Sequence, residues 1–300
     1  MLTWLLVIVL AYLFFSLGSL GDKLILAGRP KPAAYTFYVG IFGLSVVFFV
    51  PFMKFGFPGK EAMFWIILEA AVYLSALYAM FSAIKRFEVS KVATTMGAAM
   101  PIFVFVLTWI FWSGQTMSKS NLLAFGLLLL GGIIISIEKN FKTADGYLKI
   151  TLLASFMFSV DYILTKTIFL REPFLLGLFW MRIFAVLFAL VFLLSKNARK
   201  EIFSKQGFLN KKTASLLVFT QTSGGIANIL QAFAISLAPI SMLPILNSLR
   251  GVQYVFLFLI TLFFSFFLPK ILKEEISSGI IMQKITAIII IATGLALLVL

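Results

Sequence analysis

The sequence predicts an all-α integral membrane protein: ten transmembrane helices in two inverted five-helix repeats around a central cavity. Three observations predict it. Apolar residues make up 62% of the chain and charged residues 12%, with a mean hydropathy of +1.09, more apolar surface than a soluble domain of 300 residues can bury. The apolar residues come in runs of about 20, the length that crosses a ~30 Å hydrocarbon core. The second half of the chain also echoes the first.

Taken in order, the runs cover 2–25, 33–53, 62–84, 90–112, 121–137, 147–170, 173–195, 213–237, 241–268 and 284–300. The opening MLTWLLVIVL has no basic residues before it and runs on past the length of a signal sequence's apolar stretch, so it reads as the first span. Span 1 ends at GRPKP, span 2 at KFGFPGK, span 3 at KRFE and span 4 at SGQ. Span 5 ends at EKN, span 6 at REP, span 8 at AP and span 9 at PK. Span 7 runs into the one long polar link, Lys196–Lys212, which holds six Lys and Arg. Basic, Gly and Pro residues in these links are the signals that stop an apolar helix.

The repeat divides the chain into 1–143 and 144–300. Shifted by about 143, SLGSLGDKLILAGRP (16–30) lies over SVDYILTKTIFLREP (159–173), matching Ser16 with Ser159, Lys23 with Lys166 and Pro30 with Pro173. Shifted by about 151, AIKRFEVS (83–90) lies over AISLAPIS (234–241), and Val104–Phe105 over Val255–Phe256. Five spans per half give the halves opposite orientation, the construction of many secondary transporters. Of the 25 Lys and Arg, 18 fall beside the links after spans 1, 3, 5, 7 and 9, against five on the other side. The positive-inside rule then puts both termini outside a plasma or inner membrane. The same rule accounts for the net charge of +14 as loops facing anionic lipid, not as a nucleic-acid surface.

There is no Cys and no His, which excludes disulfides, thiolate chemistry and His-ligated metals. With carboxylates scattered over separate helices, no enzymatic constellation stands out. No phosphate-binding Gly-rich loop is present either. The expectation is a non-enzyme without a cofactor or metal.

Four ionisable residues lie deep in spans: Glu69, Asp161, Arg182 and Arg250. Counted from one membrane face they are 7 to 9 residues in, roughly 11–14 Å at 1.5 Å per residue. They therefore share one layer near the midplane, where charged groups face protein or a water-filled cavity. Polar stripes accompany them: Tyr12, Ser16, Ser19 and Lys23 on span 1; Ser155, Ser159, Tyr162 and Lys166 on span 6; Gln221, Gly224, Asn228 and Gln231 on span 8; Asn247, Arg250 and Tyr254 on span 9. Each is spaced by three or four residues and so occupies one helical face. Asp161 and Arg182 read equally well as an ion pair gluing two helices. Arg250, with an amide and a phenol beside it, reads as a bidentate grip for a carboxylate or phosphate. Glu69, with Tyr73 one turn on, can receive an ammonium or carry a coupling proton, as can Asp161. Gly97 and Pro101 in span 4, Gly224 and Gly225 in span 8, and Pro239 and Pro244 around the start of span 9 are candidate helix interruptions and hinges.

The segment YAMFSAIKRFEVSKVATTMGAAMPIFVFVLTWIFWSGQTMSKSNLLAFGLLLLGGIIIS (78–136) resembles the EamA-type repeat of the drug/metabolite transporter superfamily. The likeness lies in the turn before span 4, Pro101 followed by an aromatic run, a short polar link, and a fifth span with Gly126, Gly131 and Gly132. APIS (238–241), KEE (273–275) and Gly294 echo it in the second half, and FWMR (179–182) resembles the family's Phe-Trp-Arg. The chain departs from the pattern at Gln115, at Val39 opposite Arg182, and in lacking a second Pro101. The resemblance implies alternating access and transport, by export or uptake, of a small metabolite such as an amino acid, driven by protons or exchange. Arg250, Asn247, Tyr254, Asn228, Gln231, Tyr12, Ser16, Ser159, Tyr162, Tyr73, Trp180 and Arg182 are the expected substrate contacts. The expected partners are a small-molecule substrate and membrane lipid, in a monomer or homodimer. A lipid flippase of the same fold is the alternative.

Overall fold

The computed structural model describes residues 3–25, 31–87, 89–114, 117–137, 146–203, 211–267 and 278–299. Among them every regular element is helical. The helices are α1 (Thr3–Ile25), α2 (Pro32–Phe42), α3 (Lys60–Arg86), α4 (Val89–Phe111), α5 (Lys119–Ser136), α6 (Tyr147–Phe169), α7 (Phe174–Val191), α8 (Lys196–Ile202), α9 (Lys211–Leu237), α10 (Leu243–Ser248), α11 (Arg250–Phe267) and α12 (Ser278–Val299). Nine stretches among the described residues are long and apolar enough to cross a membrane. The chain is an all-α protein of membrane-spanning type. α9, at 27 residues, is also long enough. It differs from the nine in carrying Gln221, Thr222, Ser223, Asn228 and Gln231 at its centre.

Several segments depart from a plain α-helix. After α2 the chain tightens into a 3-10 helix, Gly43–Phe52, with Pro51 inside. Pro cannot donate to an α-helical ladder. α4 runs unbroken through Gly97 and Pro101, and α9 unbroken through Gly224 and Gly225. None of these four residues interrupts its helix. The interruption falls in the ninth span. Pro239 opens a 3-10 turn, Ile240–Met242, Pro244 sits in the first turn of α10, and Leu249 separates α10 from α11.

Packing joins helices distant in sequence. α1 lies along α9 and α11, and α6 along α3 and α4. α2 packs on α7, α5 on α12, and α10 on α4 and α5. Small residues set these approaches, as in membrane bundles generally. A Cβ at Gly18 would meet the backbone of Gly224 at 3.6 Å, and one at Gly40 would lie 2.6 Å from the Ala189 Cβ. On α5 a Cβ at Gly131 would lie 2.6 Å from Ile291, and one at Gly294 of α12 would lie 2.9 Å from Leu128. Gly131 and Gly294 thus seat α5 and α12 on each other within one chain.

At one end of the bundle the α2–α3 connection is tied to the α6–α7 connection. Arg171 donates to Glu61 through Nε at 2.8 Å and Nη2 at 2.6 Å, and the Gly59 N–H donates to Glu172 at 3.0 Å. These contacts are exposed and contribute little stability.

The glycine seats differ in a measurable way. Gly131→Ala drives a methyl into Ile291 and the Ala287 carbonyl and should destabilise the protein by about 1–3 kcal/mol. Gly126→Ala, on the same helix with nothing within 4 Å, should be neutral or stabilising by up to ~1 kcal/mol through helix propensity. Thermal unfolding of the two variants in detergent measures the difference.

Candidate functional site

The four ionisable residues sort into two groups, which meet different faces of α6.

The first group is built around Arg250. The break at Leu249 places it at the start of α11. Its Nη1 donates to the Met100 Sδ at 3.1 Å, a weak acceptor. Its Nε is buried and makes no hydrogen bond among the described residues, and no carboxylate there lies within 4.0 Å of it. Its charge acts instead on three phenols: Tyr12 of α1, Tyr162 of α6 and Tyr254 of α11. The Tyr12 hydroxyl donates to the Leu246 carbonyl at 3.0 Å. That carbonyl belongs to the last turn of α10, where a helix end needs outside donors. Gln231 lies beside the same hydroxyl. Tyr254 donates to the Ala93 carbonyl at 2.9 Å. A Cβ at Gly97 would stand 2.7 Å from the Tyr254 oxygen, so Gly97 makes room for that phenol. The Tyr162 hydroxyl is buried without a partner among the described residues. Ser159 closes this side, donating to the carbonyls of Met100 at 3.3 Å and Ser155 at 2.8 Å. Asn247 is wholly buried, and neither its amide nitrogen nor its oxygen has a partner among the described residues. A buried amide left so is costly.

The second group holds Glu69 and Tyr73 of α3, Asp161 of α6 and Arg182 of α7. The Arg182 guanidinium carbon sits 4.8 Å from the centre of the Tyr73 ring, a cation–π seat. The expected Asp161–Arg182 ion pair does not form within 4.0 Å. Glu69 and Asp161 neighbour each other, with Arg182 beside both.

The other expected contacts lie elsewhere. Trp180 donates to the Gly56 carbonyl at 2.9 Å and sits among Phe55, Phe57, Phe179 and Phe184, an aromatic cluster at the α2–α3 connection. Asn228 donates to the Gly224 carbonyl of its own helix at 2.8 Å. Ser16 turns back to Leu13 at 2.6 Å, while Ser19 accepts from Gln253 at 3.1 Å. The side chains of Lys23 and Ser90, and all of Gln115 and residues 273–275, lie outside the described part. Lys166, read as a stripe member, is a helix cap. Its ammonium donates to the carbonyls of Ile235, Ser236 and Ala238 at 3.0, 3.2 and 2.6 Å, at the C-terminus of α9. Met100 and Gln253 went unseen in the sequence. A thioether beside Pro101 carries no polar signal, and Gln253 lies off the Asn247–Arg250–Tyr254 spacing.

No protein-family model and no curated protein matches the chain. Its fold is similar to that of a protein of known crystal structure, with a TM-score of 0.69 at 16% sequence identity over 98% of this chain and 95% of the other. At that identity the likeness is one of fold alone.

Two outcomes test this geometry. Lys166→Met removes the donor that three carbonyls share and should lower stability by about 1–3 kcal/mol without altering ligand binding. Chemical or thermal unfolding checks the first half and a binding isotherm the second. Gly97→Ala and Tyr254→Phe should be coupled by at least ~0.5 kcal/mol in a double-mutant cycle, because the methyl and the phenol oxygen compete for one space.

Proposed function

We propose that the chain is a secondary transporter of a small anionic or zwitterionic metabolite, such as an amino acid. It works by alternating access, most simply as an exporter, with proton coupling or exchange. In this reading ten spans, α9 among them, form two inverted repeats, 1–143 and 144–300, of the kind the EamA-type members of the drug/metabolite transporter superfamily carry. Both termini lie outside a plasma or inner membrane.

Arg250 carries the proposal: a guanidinium deep in the bundle, with one thioether as acceptor, no carboxylate partner among the described residues, and three phenols around it. A half-buried cation with a buried, unpaired Nε is matched by an anion that arrives. Asn247 and Tyr162 hold unused buried hydrogen-bonding groups on the two helices that flank it. The helix packing supports the repeat. If span 1 is exchanged with span 6, span 3 with span 8 and span 4 with span 9, the contacts of α1 with α9 and α11 become those of α6 with α3 and α4. The α2–α7, α5–α12 and α4–α10 contacts each join equivalent spans. The broken ninth span, with Arg250 at the head of its second piece, is the discontinuous helix that transporters place at a midplane site.

A lipid flippase would draw on the apolar cleft lined by Phe105, Thr108, Trp109, Met117, Leu122, Ser241 and Pro244, about 180 Å³ in volume. That is below the ~300–1,000 Å³ of ordinary ligand pockets.

A thermal-stability screen of the purified protein against amino acids, other carboxylates, phosphorylated sugars and lipid headgroups tests the proposal. A ligand at 100 times its Kd should stabilise by about 2.7 kcal/mol. Arg250→Ala should weaken its binding by about 2–5 kcal/mol while the protein remains folded, and Arg250→Lys should recover only part. Stabilisation by lipid headgroups alone, unchanged in Arg250→Ala, would sink the transporter reading.

A further inference from the structure

The second charged group has a chemistry of its own. Ionised carboxylates only accept hydrogen bonds. The carboxyls of Glu69 and Asp161 are neighbours across the α3–α6 contact, and they can bond each other only when one proton lies between them. Glu69 is 1% exposed. Glu69 Oε2 and Asp161 Oδ1 are both buried and accept nothing among the described residues.

The surroundings say which ligand fits. Asp161 from α6, Arg182 from α7 and Tyr73 from α3 are the charged and titratable groups beside Glu69; of the α2 phenols, Tyr35 packs on Phe81 and Tyr38 donates to the Ile202 carbonyl. With one proton the set is neutral: one acid, one carboxylate and one guanidinium. A substrate ammonium would neutralise the deprotonated set as a proton does, but only a proton joins the two carboxyls directly to each other. A proton adds its charge directly to a carboxylate and needs no further room. Arg182 rests on the Tyr73 ring at 4.8 Å and not in an ion pair, so it is a counter-charge in reserve.

We propose that Glu69 and Asp161 form a single-proton binding site, separate from the anion site at Arg250 and joined to it through α6. Resting on the transporter reading, the site deepens it: the coupling proton binds at this pair, apart from the substrate's anionic group. When the proton leaves to water, the hydrogen bond between α3 and α6 is replaced by repulsion between two carboxylates, and Arg182 moves off Tyr73 to meet the new charge. α6 carries the consequence. Tyr162, next to Asp161, faces Arg250, and Ser159 bonds the carbonyl of Met100, whose sulfur accepts from Arg250. Neighbouring residues on a helix are about 100° apart, so one helix meets the proton on one face and the anion on another.

Infrared difference spectroscopy of the full-length protein in liposomes, between acidic and alkaline buffer, tests this without a known substrate. The expected result is a protonated-carboxyl C=O band that shifts in deuterated buffer. It should be lost in both Glu69→Gln and Asp161→Asn, because in each variant the remaining carboxylate pairs with Arg182, and kept in Arg250→Ala. Should Glu69→Gln not survive purification, Glu69→Asp serves instead and should shift the band. The absence of an exchangeable carboxyl band in the unsubstituted protein overturns the proposal. So does a band that either substitution leaves at the same frequency and amplitude. The readout is independent of the ligand screen. A band without an Arg250-dependent ligand would keep the proton site and lose the transporter, and the reverse result would keep the transporter and lose the proton site.

Discussion

Hydrocarbon offers no hydrogen bonds, and each polar group in these helices has to find its partner inside the protein. Much of the arrangement is the answer to that constraint. Tyr12 reaches from α1 to the last turn of α10. Tyr254 reaches from α11 to the backbone of α4. Thr94 of α4 donates to Ser136 of α5 at 2.8 Å, and Gln283 of α12 donates to the Ile134 carbonyl at 2.7 Å. Each bond ties one helix to another through a backbone carbonyl, and glycines at the crossings let the backbones come close enough for the side chains to arrive. The constraint is left unmet among the described residues at Arg250 Nε, the Asn247 amide, the Tyr162 hydroxyl and the carboxyl oxygens of Glu69 and Asp161, as well as at Trp65 and the hydroxyls of Thr36, Thr108, Thr151 and Thr220.

Hydropathy made the helices legible in advance. The run read as 147–170 is Tyr147–Phe169, and 121–137 is Lys119–Ser136. The polar stripes were legible too, because three- and four-residue spacing fixes a face whatever the tertiary structure. What a linear sequence lacks is the direction of that face relative to other helices. Depth along the membrane normal follows from residue count, so Glu69, Asp161, Arg182 and Arg250 were placed at one level. Their bearing around the bundle does not follow, and they fall into two groups. Lys166 shows the same limit: its spacing marks it as a stripe member, but its three partners lie some 70 residues on.

Glycine and proline are ambiguous for a related reason. Gly97 and Gly224 have the composition of a hinge, yet their helices run through them. Gly97 leaves room for a phenol, while a Cβ at Gly224 would meet nothing within 4 Å. Whether a glycine loosens its own helix or admits a neighbour depends on what stands opposite. The actual interruption, at Leu249, has no glycine or proline at the break itself.

The reach of α1 has a consequence for how the protein is made. Tyr12 finds its acceptor 234 residues later in the chain, and Ser19 its donor at the same separation. At about 5–20 residues per second, α1 waits on the order of 10–50 s in the bilayer before α9 and the ninth span are synthesised. Through that interval its buried stripe has no native cover. Long-range closure of this kind is slow and leaves polar, small-residue faces open to wrong neighbours. Assembly in the cell therefore depends on something holding the first helix apart until the chain is nearly complete, whether lipid, the insertion machinery, or passing contacts with α3 and α4.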